Sequence, residues 1–160
     1  MTYLSSTTTP IGRLIFEATE EALTSITIDT GVIEERPNAV IVEAIKQIQA
    51  YFKGKATSFD LPLDFGTSTP FQKKVWSELM NIPFGTTISY LQLAQKVGTE
   101  KHTRAVGLAN GKNPLPIVVP CHRVIGSDRS LTGYALGLKT KFILLNHENP
   151  GAFVVQASLF

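Results

Sequence analysis

The one cysteine of this 160-residue chain, Cys121, is followed at once by His122 and Arg123. The thiolate is the reactive form of cysteine, and a neighbouring base or cation favours it, so this grouping suits a nucleophilic thiol. Neighbouring side chains of an extended strand point to opposite faces, so His122 can serve Cys121 only if the chain turns or a water molecule bridges them. Pro120 and Gly126 favour such a turn. A small buried core cysteine is the alternative, and it stays open at this point.

The composition limits the kind of protein. With 43% hydrophobic and 18% charged residues, the chain can form one medium domain or two small ones. No segment has the roughly 20 apolar residues of a membrane span, and no signal peptide is evident, so we expect a cytoplasmic protein, nucleoid-associated if bacterial. A single cysteine excludes an internal disulfide, and the three histidines lack metal-ligand spacing. We therefore expect neither a metal nor another cofactor.

The charge of the chain is unevenly distributed. Residues 1–66 hold 5 Lys/Arg and 9 Asp/Glu, a net charge of −4, whereas residues 67–160 hold 10 and 4, a net charge of +6. A basic second part favours contact with a polyanion. Ordinary variation of surface charge is the alternative.

The first part of the chain has the pattern of a small sheet and one helix. Residues 3–29 predict a meander of about three strands, with alternation clearest over 23–28. A helix is predicted from its N-cap Asn38 to Phe52. Its inward stripe is Val40, Ile41, Ala44, Ile45, Ile48 and Phe52. Residues 61–68 read as a short extended piece and a linker.

The second part begins with a capping box at Thr69, which predicts a helix that presents Phe71, Val75 and Leu79 to the core. A second box at Ser89 opens a helix that ends near Gly98. A third short helix is predicted over 102–110. Together with the helix that begins at Ser89, it forms a helix-turn-helix candidate. The apolar run 117–119 is of strand type. A last helix over 138–147 is predicted to turn Leu138, Phe142 and Leu145 inward and to deliver Glu148 at its end.

Several short motifs surround the cysteine at fixed spacing. They are Arg-Ala-Val-Gly at 104–107, Asn-Pro at 113–114, Pro-Cys-His-Arg-Val at 120–124, Gly-Tyr at 133–134, Gly-Leu at 137–138 and Leu-Leu at 144–145, followed by Glu148. Together they resemble the motifs of the O6-alkylguanine-DNA alkyltransferases. The resemblance is strong from about Thr69 to Glu148 and weaker before it.

The resemblance implies an α/β protein of two lobes. Residues 1–66 would form an RNase H-like antiparallel sheet plus helix, and residues 67–160 a mostly helical winged helix-turn-helix domain with the active site. The implied activity removes alkyl groups, methyl above all, from O6-alkylguanine in DNA, and less well from O4-alkylthymine, by irreversible single-turnover transfer to Cys121. The partner would be double-stranded DNA, bound through the minor groove with the damaged base flipped out. We expect a monomer and no membrane contact.

The resemblance also assigns roles to single residues. Cys121 would be the nucleophile, His122 would remove its proton through a water molecule, and Glu148 would orient the imidazole. Tyr90 would donate its hydroxyl to a ring nitrogen of the leaving guanine, and the backbone carbonyls of Cys121 and Val124 would accept its amino group. Asn113 would hold the turn before the cysteine. The pocket would be lined by Tyr134, Val124, Pro116, Ala135 and Leu136, and DNA would be contacted by Arg104, Ala105, Lys101, Gly107 and Arg123. In the family, an arginine at the position of Arg104 enters the base stack that the target nucleotide leaves.

Three features distinguish this chain from particular groups of family members. Leu136 stands where glycine is common, so we expect a narrower pocket rim and poor reaction with benzyl adducts. The zinc ligands of some members are absent. Cys121 is present where the alkyltransferase-like relatives carry tryptophan, which favours activity over lesion sensing.

The apolar C-terminal tail ends with residues 156–160, Gln-Ala-Ser-Leu-Phe. This segment resembles the sliding-clamp-binding motif of bacterial repair proteins, although packing of the tail on its own protein is the alternative. Two other functions remain open for the whole chain. One is a winged-helix lesion-recognition protein with an inert Cys121, and the other is a cysteine hydrolase or acyl transferase that uses Cys121 and His122.

Overall fold

The computed structural model describes residues 1–29, 31–98 and 100–153. The chain divides into two compact units, Met1–Thr67 and Ser68–Phe160. The first unit is an antiparallel sheet with one helix, and the second is mostly helical. The predicted fold class is therefore confirmed. No helix in the described ranges is long and apolar enough to cross a membrane.

The first unit is a three-stranded meander with order β1-β2-β3, followed by a helix. Its elements are β1 (Tyr3–Thr9), β2 (Gly12–Ala18), β3 (Leu23–Ile28) and α1 (Ala39–Phe52). The central strand β2 contributes Leu14 and Phe16 to the core, and neither is exposed. Leu14 and Phe16 therefore lie on one covered face of the sheet. The alternation predicted over residues 23–28 is incomplete, because the buried residues of β3 are Leu23 and Ile26.

Helix α1 begins where the sequence predicts. The side chain of Asn38 accepts a hydrogen bond from the backbone N–H of Ile41 (3.1 Å). The buried residues of the helix are Ile41, Ala44, Ile48 and Tyr51. The predicted stripe was wrong at Val40, Ile45 and Phe52, which are only half-buried. The alternating spacing of three and four residues leads instead from Ile48 to Tyr51.

The second unit contains four helices, two short strands and two single 3-10 turns among its described residues. Its elements are α2 (Pro70–Leu79), β4 (Ile88–Ser89), α3 (Tyr90–Val97), a 3-10 turn (Glu100–His102), α4 (Thr103–Gly111), a 3-10 turn (Cys121–Arg123), β5 (Val124–Ile125) and α5 (Leu138–Glu148). Strands β4 and β5 pair in parallel. The indole nitrogen of Trp76 on α2 donates to the carbonyl of Ala109 on α4 (2.8 Å), which ties these helices together.

Both capping boxes form. Thr69 and Gln72 exchange side-chain-to-backbone hydrogen bonds at the start of α2, and Ser89 and Gln92 do so at the start of α3. Gly98 ends α3 in the left-handed conformation, with φ of 88°. The chain can therefore turn within a few residues and begin α4, which makes α3 and α4 the predicted helix-turn-helix pair.

Two local predictions in this unit were wrong. The apolar run 117–119 is a turn rather than a strand, with φ of 76° at Ile117 and a hydrogen bond from the Val119 N–H to the Leu115 carbonyl (2.9 Å). The inner face of α5 consists of Thr140, Lys141, Leu144, Leu145 and Glu148. Leu138 is only half-buried, because the helix turns a polar strip inward towards the cysteine segment. Phe142, although half-buried, packs against the buried cluster of Ile125, Leu131 and Leu145, as predicted.

Candidate active site

Cys121 opens a single 3-10 turn that runs to Arg123. Its backbone N–H donates to the carbonyl of Val119 (2.8 Å), and the N–H of Arg123 donates to the carbonyl of Pro120 (3.0 Å). The chain therefore turns at the cysteine, as the sequence requires if His122 is to serve it. The side chain of Cys121 is fully buried.

The amide of Asn113 supports this turn and contacts the sulfur. Its Nδ2 donates to the Sγ of Cys121 (3.2 Å) and to the carbonyl of Val119 (2.8 Å). Its Oδ1 accepts from the N–H of Leu115 (2.9 Å). Asn113 thus holds the turn, the task the resemblance gives it, and also donates a hydrogen bond to the sulfur.

Burial raises the pKa of the Cys121 thiol to about 11, although the Asn113 hydrogen bond and the charge of Lys141 lower it. At pH 7, a pKa of about 11 leaves only about one thiol in ten thousand as thiolate. The resting protein therefore holds its sulfur as an unreactive thiol, and a base must remove the proton.

His122 and Glu148 form a buried pair beside the cysteine. The Nε2 of His122 lies 2.7 Å from the Oε2 of Glu148. Among the described residues, no group is bonded to the Nδ1 of His122, which is completely buried. Burial lowers the pKa of His122 against the opposing effect of Glu148, so the ring is neutral at pH 7 and can accept a proton.

Arg123 is the second partner of Glu148. Its Nε donates to Oε1 (2.8 Å) and its Nη2 to Oε2 (3.0 Å), while its Nη1 donates to the carbonyl of Ile82 (2.6 Å). Burial would raise the pKa of Glu148, but the hydrogen bonds from His122 and Arg123 outweigh it and hold that pKa well below its ordinary value. The backbone N–H of Gly85 also donates to Oε1 (3.2 Å). The carboxylate at the C-terminal end of α5 is thus balanced by the charge of Arg123 and hydrogen-bonded by His122 and Gly85 as well.

The placement of Arg123 corrects a sequence prediction. Arg123 was expected among the residues that contact DNA, yet only 6% of it is exposed. Its guanidinium donates inward to Glu148 and Ile82, so it balances the carboxylate instead of facing a nucleic acid. The sequence could not separate the two roles, because a basic residue beside a nucleophile suits either.

Lys141 on α5 is a site residue that the sequence predictions missed. It is fully buried, and its Nζ donates to the carbonyls of Val124 (2.6 Å) and Thr132 (2.8 Å) and to the hydroxyl of Tyr90 (3.4 Å). Burial lowers its pKa to about 8, against the opposing effect of Cys121. The sequence did contain a signal for the burial of Lys141. Its position lies three residues after Leu138 and four before Leu145, which places it on the helix face that was predicted to be buried.

Tyr90 begins α3 and lies at the edge of an open groove. Its hydroxyl donates to the carbonyl of Thr132 (2.8 Å). Burial raises the pKa of that hydroxyl, and the hydrogen bond to Thr132 and the nearby Asn110 amide oppose this only in part. The groove has a volume of about 460 Å³ and is lined by Tyr90, Thr103, Arg104, Gly107, Leu108, Thr132 and Gly133.

The other predicted residues differ in their exposure, and Arg104 and Gly107 among them line the groove. Lys101, Arg104 and Ala105 are exposed around the start of α4, and Gly107 is half-buried. Among the predicted pocket residues, Pro116 and Val124 are buried, Tyr134 and Leu136 are half-buried, and Ala135 is exposed. The rings of Tyr134 and His122 are 6.4 Å apart in an edge-on arrangement. In the described ranges, no three His, Cys, Asp or Glu side chains group as metal ligands.

These features define a class of protein: a mostly helical unit with a helix-turn-helix pair, which holds a buried thiol beside a histidine and a carboxylate. Two family models match the chain. The model described as 6-O-methylguanine DNA methyltransferase, ribonuclease-like domain, matches residues 2–65, and the DNA binding domain of the same name matches residues 70–150. The chain belongs to the 6-O-methylguanine DNA methyltransferase family.

Individual relatives agree with this membership. A constitutive methylated-DNA–protein-cysteine methyltransferase of Bacillus subtilis is 44% identical and covers 92% of this chain and 96% of its own length. One from Mycobacterium leprae is 42% identical, with 92% and 93% covered. The crystal structure of the O6-methylguanine methyltransferase of Mycobacterium tuberculosis has a TM-score of 0.85 at 39% identity and covers 97% of both chains. A structure of that bacterium's protein in complex with DNA has a TM-score of 0.81 at 42% identity, with 89% of this chain and 90% of its own covered.

Proposed function

We propose that this chain repairs DNA by taking the alkyl group of O6-alkylguanine, and less readily that of O4-alkylthymine, onto the sulfur of Cys121. The observation that carries the proposal is the buried thiol beside a neutral histidine, whose Nε2 is bonded to Glu148 and whose Nδ1 has no partner among the described residues.

The first step activates the thiol. His122 accepts the proton of Cys121 at Nδ1 through a bridging water molecule, and Glu148 stabilises the imidazolium that forms. Asn113 donates to the sulfur and Lys141 adds a positive charge nearby, so both favour the thiolate. Glu148 stays ionised throughout, because His122 and Arg123 keep its pKa low.

The second step transfers the alkyl group. The thiolate attacks the alkyl carbon in line, so that an S–C bond forms while the C–O6 bond breaks and its electrons pass to the guanine. The hydroxyl of Tyr90 protonates a ring nitrogen of the departing base, and the proton held by His122 returns to Tyr90 through solvent. The hydrogen bond from Lys141 to the Tyr90 oxygen eases this proton donation, since a nearby cation stabilises the phenolate.

The protein is consumed by this reaction. A thioether is a poor leaving group, and the chain contains no second cysteine that could remove the alkyl group from Cys121. Each molecule therefore repairs one base. The activity is that of a methylated-DNA–protein-cysteine S-methyltransferase that acts stoichiometrically.

DNA binding belongs to residues 67–160, and residues 1–66 form the RNase H-like lobe. Helix α4 enters the minor groove, with Lys101 just before it and Ala105 on it towards the DNA backbone. Gly107 lines the groove beside Tyr90, and Arg104 takes the place of the flipped nucleotide. Exposed basic residues around a helix with small side chains support this assignment. A base flipped into the groove beside Tyr90 enters a pocket formed by Val124, Pro116 and the segment 134–136.

The test is the intact mass of the full-length protein after incubation with a duplex that carries one O6-methylguanine. We expect the gain of one methylene group at Cys121 and none in Cys121→Ala. Tight binding of that duplex without any mass gain would favour a lesion-recognition protein instead. Hydrolysis of esters or amides with turnover would favour the hydrolase.

Further partners are proposed from sequence alone. The tail segment 156–160 lies outside the described residues, and we keep it as a candidate for binding a bacterial sliding clamp. Comparison of the full chain with a form ending at Gly151 in a clamp pull-down tests this, because only the full chain should be captured.

We also propose a cytoplasmic monomer, nucleoid-associated in a bacterium, and gel filtration with and without DNA tests the monomer.

A further inference from the structure

Asn110 near the end of α4 has a buried side chain with one unused atom. Only 1% of the residue is exposed. Its Nδ2 donates to the carbonyl of Cys121 (3.3 Å), which identifies Oδ1 as the remaining atom of the amide. No described residue donates a hydrogen bond to that oxygen. A buried acceptor without a donor destabilises the resting protein. A ligand that donates a hydrogen bond to Oδ1 would remove this cost.

The position of Asn110 indicates where such a partner enters. Thr103 and Gly107 line the open groove, and Asn110 follows them at helical spacing on the same face of α4. The amide also lies close enough to the Tyr90 hydroxyl to act on its ionisation. Asn110 therefore stands at the inner end of the groove, between Tyr90 and the residue that carries the sulfur.

We infer that Asn110 determines base specificity: its Oδ1 accepts a hydrogen bond from the exocyclic 2-amino group of the flipped O6-alkylguanine. This inference rests on the proposed function. It adds a side-chain acceptor to the backbone carbonyls of Cys121 and Val124, which the resemblance assigns to the same amino group. Both carbonyls already accept a bond in the resting protein, from Asn110 and Lys141 respectively, whereas Oδ1 has its full capacity available.

The chemistry of the two lesions makes this acceptor selective. Alkylation at O6 removes the proton from N1 of guanine, so the 2-amino group is the one N–H donor left on the base. Alkylation at O4 removes the proton from N3 of thymine, and that base then has no N–H donor. A thymine lesion would leave Oδ1 buried and unpaired, which disfavours its binding.

Single-turnover rates on three duplexes test the inference. They carry O6-methylguanine, O4-methylthymine, or O6-methylhypoxanthine, which differs from O6-methylguanine only by the missing 2-amino group. We expect the wild-type protein to react about five- to tenfold faster with O6-methylguanine than with O6-methylhypoxanthine. The variant Asn110→Leu, similar in size and without polar atoms, should reduce this ratio to about one to two. It should also raise the rate on O4-methylthymine relative to O6-methylguanine.

The control is Tyr90→Phe, which removes a donor to a ring nitrogen that both purines possess. It should slow both reactions equally and leave their ratio unchanged. Equal wild-type rates on the two purines would overturn the inference even if Asn110→Leu fails to fold. A folded Asn110→Leu that slows both purines equally would overturn it too, since Asn110 would then only support the Cys121 backbone. Failure of the wild-type protein to react with any duplex would instead contradict the proposed function.

Discussion

The interiors of the two units differ in kind. In the first unit, Ser5 is the one buried polar residue among those described, and the rest of the core is apolar. The second unit buries three ionisable side chains with an arginine and two amides. They are Asn110, Asn113, His122, Arg123, Lys141 and Glu148, accompanied by Cys121. Buried charges and amides add less stability than apolar groups of the same volume, so their concentration in one unit marks a functional site.

The comparison also shows how such an interior remains stable. Each charged group has a fixed partner: Glu148 binds His122 and Arg123, and Lys141 donates to two carbonyls. Two of the buried side-chain atoms that have no hydrogen-bond partner among the described residues are Nδ1 of His122 and Oδ1 of Asn110. These are the atoms to which the proposed reaction assigns a proton and a base. The second unit is therefore expected to respond to polar substitutions, and the first mainly to changes in volume.

The largest effect is expected from Glu148→Ala, which leaves Arg123 buried without its counter-charge. We expect a loss of about 3–5 kcal/mol in the free energy of unfolding, measured by urea titration of the full chain, with loss of alkyl transfer. The matched control is Glu17→Ala in the first unit, where the carboxylate accepts from Ser25 and the loss should stay below about 1 kcal/mol. Equal losses would erase the distinction between the units.

The pH dependence of stability sharpens the same prediction. The pKa of Glu148 lies below its unfolded value, so its stabilising contribution is complete above about pH 4.3. That contribution is lost as the pH falls further, towards the folded pKa. Unfolding curves from pH 7 to pH 3 should therefore show a steeper fall for the wild type than for Glu148→Gln.

Lys141→Met should slow alkyl transfer by about ten- to a hundredfold, because the cation next to the Tyr90 hydroxyl and the Cys121 sulfur is removed. Methionine fills a similar volume and needs no hydrogen bonds, so the free energy of unfolding should change far less than in Glu148→Ala. Single-turnover rates test this, with Lys139→Met as the exposed control on the same helix. An unchanged rate would restrict Lys141 to a structural role.

Leu136→Gly should increase the rate on O6-benzylguanine by about tenfold, because the half-buried Leu136, at the proposed pocket rim, is expected to restrict a bulky adduct. The rate on O6-methylguanine in DNA should change little. Faster reaction of the wild type than of the glycine variant with the benzyl compound would contradict a narrow rim.

A smaller effect on the stability of the second unit is expected from the ionisation of Cys121 at high pH. Thiolate absorbance at 240 nm, taken as the difference between wild type and Cys121→Ser, should rise with a midpoint near pH 11 in the absence of DNA. Since the folded pKa is raised above that of an exposed thiol, this group weakens the folded state as the pH rises from about 9 to 11. A midpoint near pH 7 would mean that the free protein holds a preformed thiolate.

The smallest effect is expected from Ile41→Val on α1 of the first unit. Removal of one buried methylene should lower the free energy of unfolding by about 1 kcal/mol, with alkyl transfer unchanged. Denaturant unfolding measures the change in the free energy of unfolding, and the single-turnover rate measures alkyl transfer. A slower reaction would show that the first unit influences the chemistry.

Local structure was predictable wherever a signal lies within a few residues. The two capping boxes, the Asn38 cap and the left-handed Gly98 each depend on neighbours along the chain, and all formed as expected. The run 117–119 failed because its apolar residues are buried all round in a turn held by Asn113 and the bond from Val119 to Leu115. Alternation cannot distinguish such a turn from a strand.

The sequence by itself determined the capped helices, the family resemblance and the adjacency of a cysteine and a histidine, because each depends on residues that are neighbours in the chain. The tertiary structure decided how distant side chains meet. It placed Glu148 on His122, turned Arg123 inward to share that carboxylate, and brought Lys141 to Tyr90 from 51 positions away. It also left one oxygen of Asn110 without a described partner. Contacts between residues far apart in the chain depend on how the helices pack, and no local pattern of residues specifies that.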